Sequence, residues 1–190
     1  MAPARLIFSK FMSADASTSR IVRWEILEGL PGEGPAPKYF HLGHPTPWAE
    51  GFVVRFWNAD GTNWVGNFQG ACWGVSSVVD FPKSATLIVI AFGAFYLLPK
   101  SDPEGYTCDR HGVSSALVDD DGNRLILAYQ GGDLAAYGPD GIGVWLRDGL
   151  ATDDIDLKSC ADGIVTAEIE YDYEGSRRTI RLRADDGADL

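Results

Sequence analysis

Two histidines lie three residues apart in His41-Leu42-Gly43-His44, the spacing of a metal-binding pair. Cys72 or Cys108 would have to join them, because zinc needs several convergent ligands. A second group, Cys108-Asp109-Arg110-His111, sets a thiol beside an imidazole and a guanidinium. A cation next to a thiol lowers its pKa and favours the nucleophilic thiolate. Neither group completes a set. The histidine pair has no second pair, and no local signature of cysteine catalysis surrounds Cys108. G-x-S-x-G and phosphate-cradling glycine loops are also missing from the sequence. No residue is therefore assigned as catalytic. His41, His44, Cys108 and His111 stand only as candidate metal ligands, and no cofactor is expected.

Asp119-Asp120-Asp121-Gly122-Asn123 resembles the start of a calcium loop, but a calcium hand wants Gly at its sixth position and Glu at its twelfth. Arg124 and Gln130 stand there instead. A hairpin turn that presents its carboxylates to solvent accounts for the run. Asp153-Asp154-Ile155-Asp156 reads as the start of a helix of one or two turns over 149–158, with Thr152 as its cap. Trp48, Trp57, Trp64 and Trp73 cluster in the sequence with Asn63, Asn67 and Gln69 among them. Flat rings beside amides suit a sugar or a flat protein partner. The candidate binding residues are thus Trp48, Trp57, Trp64 and Asn63, together with Asp119, Asp120 and Asp121.

The elements that must position these residues read as strands. Nothing charged lies between Lys83 and Lys100 (KSATLIVIAFGAFYLLPK), yet the stretch is too short for a membrane helix of about 20 residues. Its β-branched and aromatic residues predict two strands, about 85–91 and 94–98, meeting at Gly93. Both faces are apolar, which places the stretch at the middle of the domain. Elsewhere, alternating runs flank Asp60-Gly61, Asp121-Gly122, Asp140-Gly141 and Glu174-Gly175. Asp-Gly accepts the positive φ that a two-residue hairpin turn needs. An irregular Pro/Gly-rich connection is expected at about 29–50, within one domain spanning 1–190.

The totals bound the partners. The 190 residues carry a formal charge of −11, and the pI is about 4.6. Such a surface repels phosphate backbones and anionic lipid heads, which argues against nucleic acid and membrane. The one dense basic run, Arg177 to Arg183, alternates, and the acidic strand with Glu168, Glu170 and Asp172 is expected to pair with it. Three widely spaced cysteines and no apolar leader in MAPARLIFSKFMSADAS point to a reducing, cytoplasmic setting.

One segment resembles a β-propeller blade of the quinoprotein type. Such blades carry Ala, then Gly six positions on, then Trp ten positions on, and Ala135, Gly141 and Trp145 fit. Tyr137 and Asp140 stand where the family has Asp and Thr. The resemblance implies that Arg124–Tyr129 is the neighbouring strand, that Gly141 makes a tight turn and that Trp145 packs between layers. It implies no cofactor. At roughly 40 residues per repeat, a chain this long holds about four blades. The expected fold is all-β: antiparallel sheets of consecutive hairpins, arranged as a sandwich or as an open array of blade-like meanders, with little helix. The expected function is non-catalytic intracellular protein binding, in its concrete form as an acidic immunity-type inhibitor of a basic toxin. The alternatives are a carbohydrate or small-ligand module using the Trp-rich region, and a metal-dependent hydrolase.

Overall fold

A computed structural model describes residues 20–43, 49–71, 73–81, 84–109 and 112–190. Its strands form four sheets taken in chain order. The first contains β1 (Ile21–Leu27), β2 (Lys38–Phe40), β3 (Phe52–Asn58) and β4 (Asn63–Phe68), in the order β1-β3-β4-β2. The second is the meander β5 (Ser77–Asp80), β6 (Thr86–Ala91), β7 (Ala94–Pro99) and β8 (Thr107–Asp109). The third is the meander β9 (Val113–Val118), β10 (Leu125–Tyr129), β11 (Asp133–Tyr137) and β12 (Gly143–Arg147). The fourth has three strands, β13 (Ile155–Ala161), β14 (Ile164–Glu170) and β15 (Arg177–Arg183). Among the described residues there is no α-helix, only a 3-10 turn at Pro103–Gly105.

The sheets stack face to face, and strand alternation assigns each residue to one of three cores. In β6, Leu87, Val89 and Ala91 face the first sheet, where they meet Val54, Phe56 and Phe68. Ile88 and Ile90, between them in sequence, face Leu125, Leu127 and Ala135 of the third sheet. In β10, Ile126 and Ala128 turn the other way, onto Ile155, Val165 and Ile169 of the fourth. The uninterrupted apolar run from Leu87 to Ala91 follows from this: an inner sheet buries both of its faces. Each such side chain contributes about 1.5–3 kcal/mol when fully buried. The stack ends at the fourth sheet, whose outer face carries Thr166, Glu168 and Glu170 opposite Arg181, Thr179 and Arg177. Arg177 lies 3.9 Å from Glu170 and 3.1 Å from Asp154, so the basic strand is offset across the ladder. Arg183 pairs instead with Asp186 at 2.6 Å.

Crossings between sheets are clamped by backbone hydrogen bonds to hairpin tips. Val113 N donates to Gly93 O (2.8 Å) and Gln130 N to Gly112 O (2.9 Å). Leu150 N donates to Gly132 O (2.9 Å) and Thr152 N to Glu170 O (2.7 Å). The approach is close enough to demand glycine. At Gly132, with φ +86°, a Cβ would stand 2.1 Å from the Ala151 carbonyl oxygen.

Two local expectations change. The helix turn expected over 149–158 is absent: a bend leads directly into β13. Thr152 Oγ1 donates to the carbonyls of Glu170 (3.1 Å) and Asp172 (3.2 Å) rather than capping a helix. Ile155 and Leu157 bury themselves at alternate positions, and that burial outweighs a weak local helix preference. The irregular connection at about 29–50 also contributes a strand, β2, which runs parallel to β4 with Phe40 opposite Phe68. Among the described residues no helix is long and apolar enough to cross a membrane.

Candidate functional site

The ring residues of the Trp-rich hairpin divide between two faces. Trp64 stands opposite Phe56 on β3 and turns into the core, stacked on it at 4.4 Å between centroids. Trp57 stands opposite Asn63 on the other face. There the Arg23 guanidinium lies over the Trp57 ring at 3.7 Å, a cation–π contact, and Arg55 lies at 5.9 Å. Asn63 is exposed. Trp57 and Trp64 therefore do not share one platform. Trp48 lies outside the described residues. Trp73, on the crossing into the second sheet, is 73 % exposed.

His41 and Cys108 do come together, where β2 meets β8. Tyr106 ties them: its hydroxyl accepts from His41 N (3.0 Å) and lies 3.3 Å from His41 O. The Cys108 thiol is directed at the same carbonyl, 3.4 Å away. The imidazole lies parallel to the Tyr39 ring at 6.3 Å. Lys38, Glu104 and Tyr106 line a cleft of about 220 Å³ beside this corner. The thiol thus meets the backbone carbonyl of His41. His44 and His111 lie outside the described residues. Among the described residues no three His, Cys, Asp or Glu side chains gather as a metal site.

The acidic run closes the β9–β10 hairpin. Asp119 Oδ1 accepts from Asn123 N (2.6 Å) and Arg124 N (2.9 Å), which fixes the turn. Asp120 Oδ2 accepts from Asp162 N (3.2 Å), and Asp120 N donates to Cys160 O (3.1 Å). These bonds bind the turn to the β13–β14 hairpin. Asp119, Asp120, Asp121 and Asp162 consequently share one ridge. Arg124, in the same hairpin, pairs with Asp185 at 2.6 Å. Burial pushes the Cys160 thiol up to about 11, and the charges of Asp119 and Asp120 add to the shift.

A feature that no spacing in the sequence announces lies beside this ridge. A groove of about 370 Å³ runs from Asn123 and Arg124 past Pro139 and Asp140 to Ile142 and Val144. Its far wall is β12, the edge strand of the third sheet. Val144 and Leu146 project from it, 47 % and 58 % exposed, and Ile142 in the turn before it is 53 % exposed. The clue in the sequence was the alternation in Ile142–Arg147, but edge and centre strands alternate alike. Deeper in the same sheet, the hydroxyls of Tyr129 and Tyr137 meet at 2.8 Å. Burial raises the pKa of both phenols.

The three motif positions do separate jobs. Ala135 is buried in the core between the second and third sheets. Gly141, at φ +76°, turns the chain where a Cβ would stand 2.2 Å from Leu97 Cδ1. Trp145 packs toward the fourth sheet. Among the described residues the fold is all-β, built of four small sheets. No protein-family model matches the chain, and neither does any curated protein. Among solved structures it is similar to the crystal structure of BamB from Moraxella catarrhalis, with 13% identity and a TM-score of 0.46. The alignment covers 90% of this chain and 50% of that one, so the chain spans about half the length of that protein.

Proposed function

We propose that the protein is a non-catalytic binding protein whose acidic face docks a basic protein partner in a reducing compartment. An immunity-type inhibitor of a basic toxin is its most concrete form. The supporting observation is the ridge itself: Asp120 ties its own acidic turn to the hairpin turn that carries Asp162. A fixed cluster of one sign steers an oppositely charged partner and raises its association rate, most of all at low salt. The test is association kinetics against a panel of basic nucleases. The variant Asp120→Asn/Asp121→Asn/Asp162→Asn keeps the shape of the turns and removes the charge. A rate that falls with salt for the native chain, and much less for the variant, supports the reading. Equal rates for both, or no binding by any member, count against it.

A second reading rests on Trp73, whose ring stands largely in solvent. An open indole suits the apolar face of a sugar. Titration with a broad glycan panel, followed by the fluorescence of native and Trp73→Phe chains, tests it. A flat response from the native chain removes it.

A further inference from the structure

The third sheet ends in a strand prepared on one face and open on the other. The prepared face of β12 is held by the chain's last residues. Trp145 Nε1 donates to Ala184 O at 2.8 Å, and Arg147 Nη1 donates to Gly187 O at 2.5 Å. Arg147 also reaches Asp189 at 3.3 Å. Away from these contacts Val144 and Leu146 of β12 stand about half exposed. The pairing with β11 shifts register between Ala136 and Tyr137, and Ile142 belongs to the turn before β12. Along one edge β12 pairs with β11, and among the described residues no strand pairs with its other edge. An exposed apolar edge is a template for another strand, and proteins ordinarily blunt such edges with charge, proline, bulges or short length. Here the edge is five residues long and its pairing carries a bulge, but it holds no proline and leaves Val144 and Leu146 exposed. An edge already fixed in extended form also spares an incoming strand much of the ordering cost of binding.

We propose that β12 takes an extended, lysine- or arginine-bearing segment of a protein partner as an added strand of the third sheet. This rests on the partner-binding reading and names where and how the partner is held. Backbone pairing along the edge would supply affinity, and apolar residues of the segment would cover Val144 and Leu146. Charge argues for a basic segment. Asp140 and the exposed Asp148 flank β12 at its two ends, and the groove from Asp140 leads to Asn123 and to Arg124, whose charge Asp185 offsets, next to the aspartate ridge. The net charge of −11 disfavours a second copy of this chain as occupant.

The probe is a labelled octapeptide of alternating valine and lysine, studied at pH 7 and low salt with its valine–glutamate counterpart as control. The native chain is expected to bind the lysine peptide saturably, and the glutamate peptide at least tenfold more weakly. Val144→Lys and Leu146→Lys each place a charge on the exposed face and should weaken binding tenfold or more, with an unchanged melting temperature. Asp148→Lys should weaken it severalfold. Isotope-edited infrared spectra of the bound peptide should show new strand pairing. No binding by the native chain, equal binding of both peptides, or binding indifferent to Val144→Lys overturns the proposal. So does a native chain that light scattering shows to be a dimer and that Val144→Lys makes monomeric. If basic nucleases bind with salt-dependent rates that Val144→Lys leaves unchanged, the partner reading stands and the β12 edge falls. If the nuclease panel fails while the peptide binds, the edge stands and the acidic ridge falls.

Discussion

Trp145, on β12 of the third sheet, donates its indole N–H to the backbone carbonyl of Ala184, 2.8 Å away beyond β15 of the fourth. One side chain thereby joins two sheets that no strand ladder connects. Gly187 lies against the same ring, where a Cβ would come within 2.9 Å of it. Replacing Trp145 by Phe keeps most of the ring and leaves the carbonyl without its donor. The expected cost is about 1–2 kcal/mol, read from the midpoint of urea unfolding.

Lys100 is 4 % exposed at its side chain and pairs with Asp80, which is 28 % exposed. The two partners are unequal. Asp80→Ala leaves the buried ammonium without its counter-charge, with the Phe81 carbonyl at 3.4 Å, and is expected to cost about 3 kcal/mol. Lys100→Met leaves a carboxylate that water still reaches, and should cost well under half as much. Chemical denaturation of the two single variants checks the order, and a reversed order would refute this account of the pair.

Gly131 and Gly132 are neighbours with positive φ, +95° and +86°, but only Gly132 is crowded. Gly131→Ala meets open space and should cost about 1 kcal/mol through its left-handed backbone alone. Gly132→Ala also drives a methyl into the Ala151 carbonyl and is expected to be considerably worse. Thermal melts of the pair separate conformational strain from collision.

Asp119 and Asp121 belong to one acidic turn and differ in their work. Asp119 accepts two backbone N–H groups. Asp119→Ala should therefore destabilise the fold by about 1–2 kcal/mol. Asp121→Asn is expected to leave stability nearly unchanged and to slow association with a basic partner. Unfolding and association kinetics on the same two proteins make the distinction.

Burial holds the Cys160 thiol protonated to about pH 11, against an ordinary value of 9.0. The folded chain keeps a proton there that the unfolded chain releases. This contribution to stability is fully present below about pH 9 and is lost as the pH climbs toward about 11. The raised phenols of Tyr129 and Tyr137 act in the same direction at still higher pH. Urea midpoints across the alkaline range should fall, and Cys160→Ala should remove the thiol's share. In mapped alkylation at pH 8, the exposed Cys108 should label well before Cys160.

Much of the fold was legible in local letters. The Asp-Gly pairs marked turns, and the run between Lys83 and Lys100 split at Gly93 into β6 and β7. These signals are local: positive φ and strand alternation are properties of a few adjacent residues. Ala135, Gly141 and Trp145 marked a blade-like unit for the same reason. The segment 149–158 misled because its capping letters were stronger than its short apolar alternation. β2 was missed because three residues carry almost no period, and a parallel partner gives no turn signal.

The candidate site was less legible. The sequence by itself determined that the chain is acidic, that Asp119–Asp121 close a hairpin and that the apolar run must be buried, since composition and short-range geometry suffice for each. Tertiary structure decided that Trp57 and Trp64 face opposite ways, that Asp120 meets Asp162, and that β12 rather than β10 is left with an open edge. A side chain's face follows from its neighbours along the strand. Its company, and whether an edge is covered, follows from which sheet stacks on which, a choice made by contacts between residues far apart in the chain.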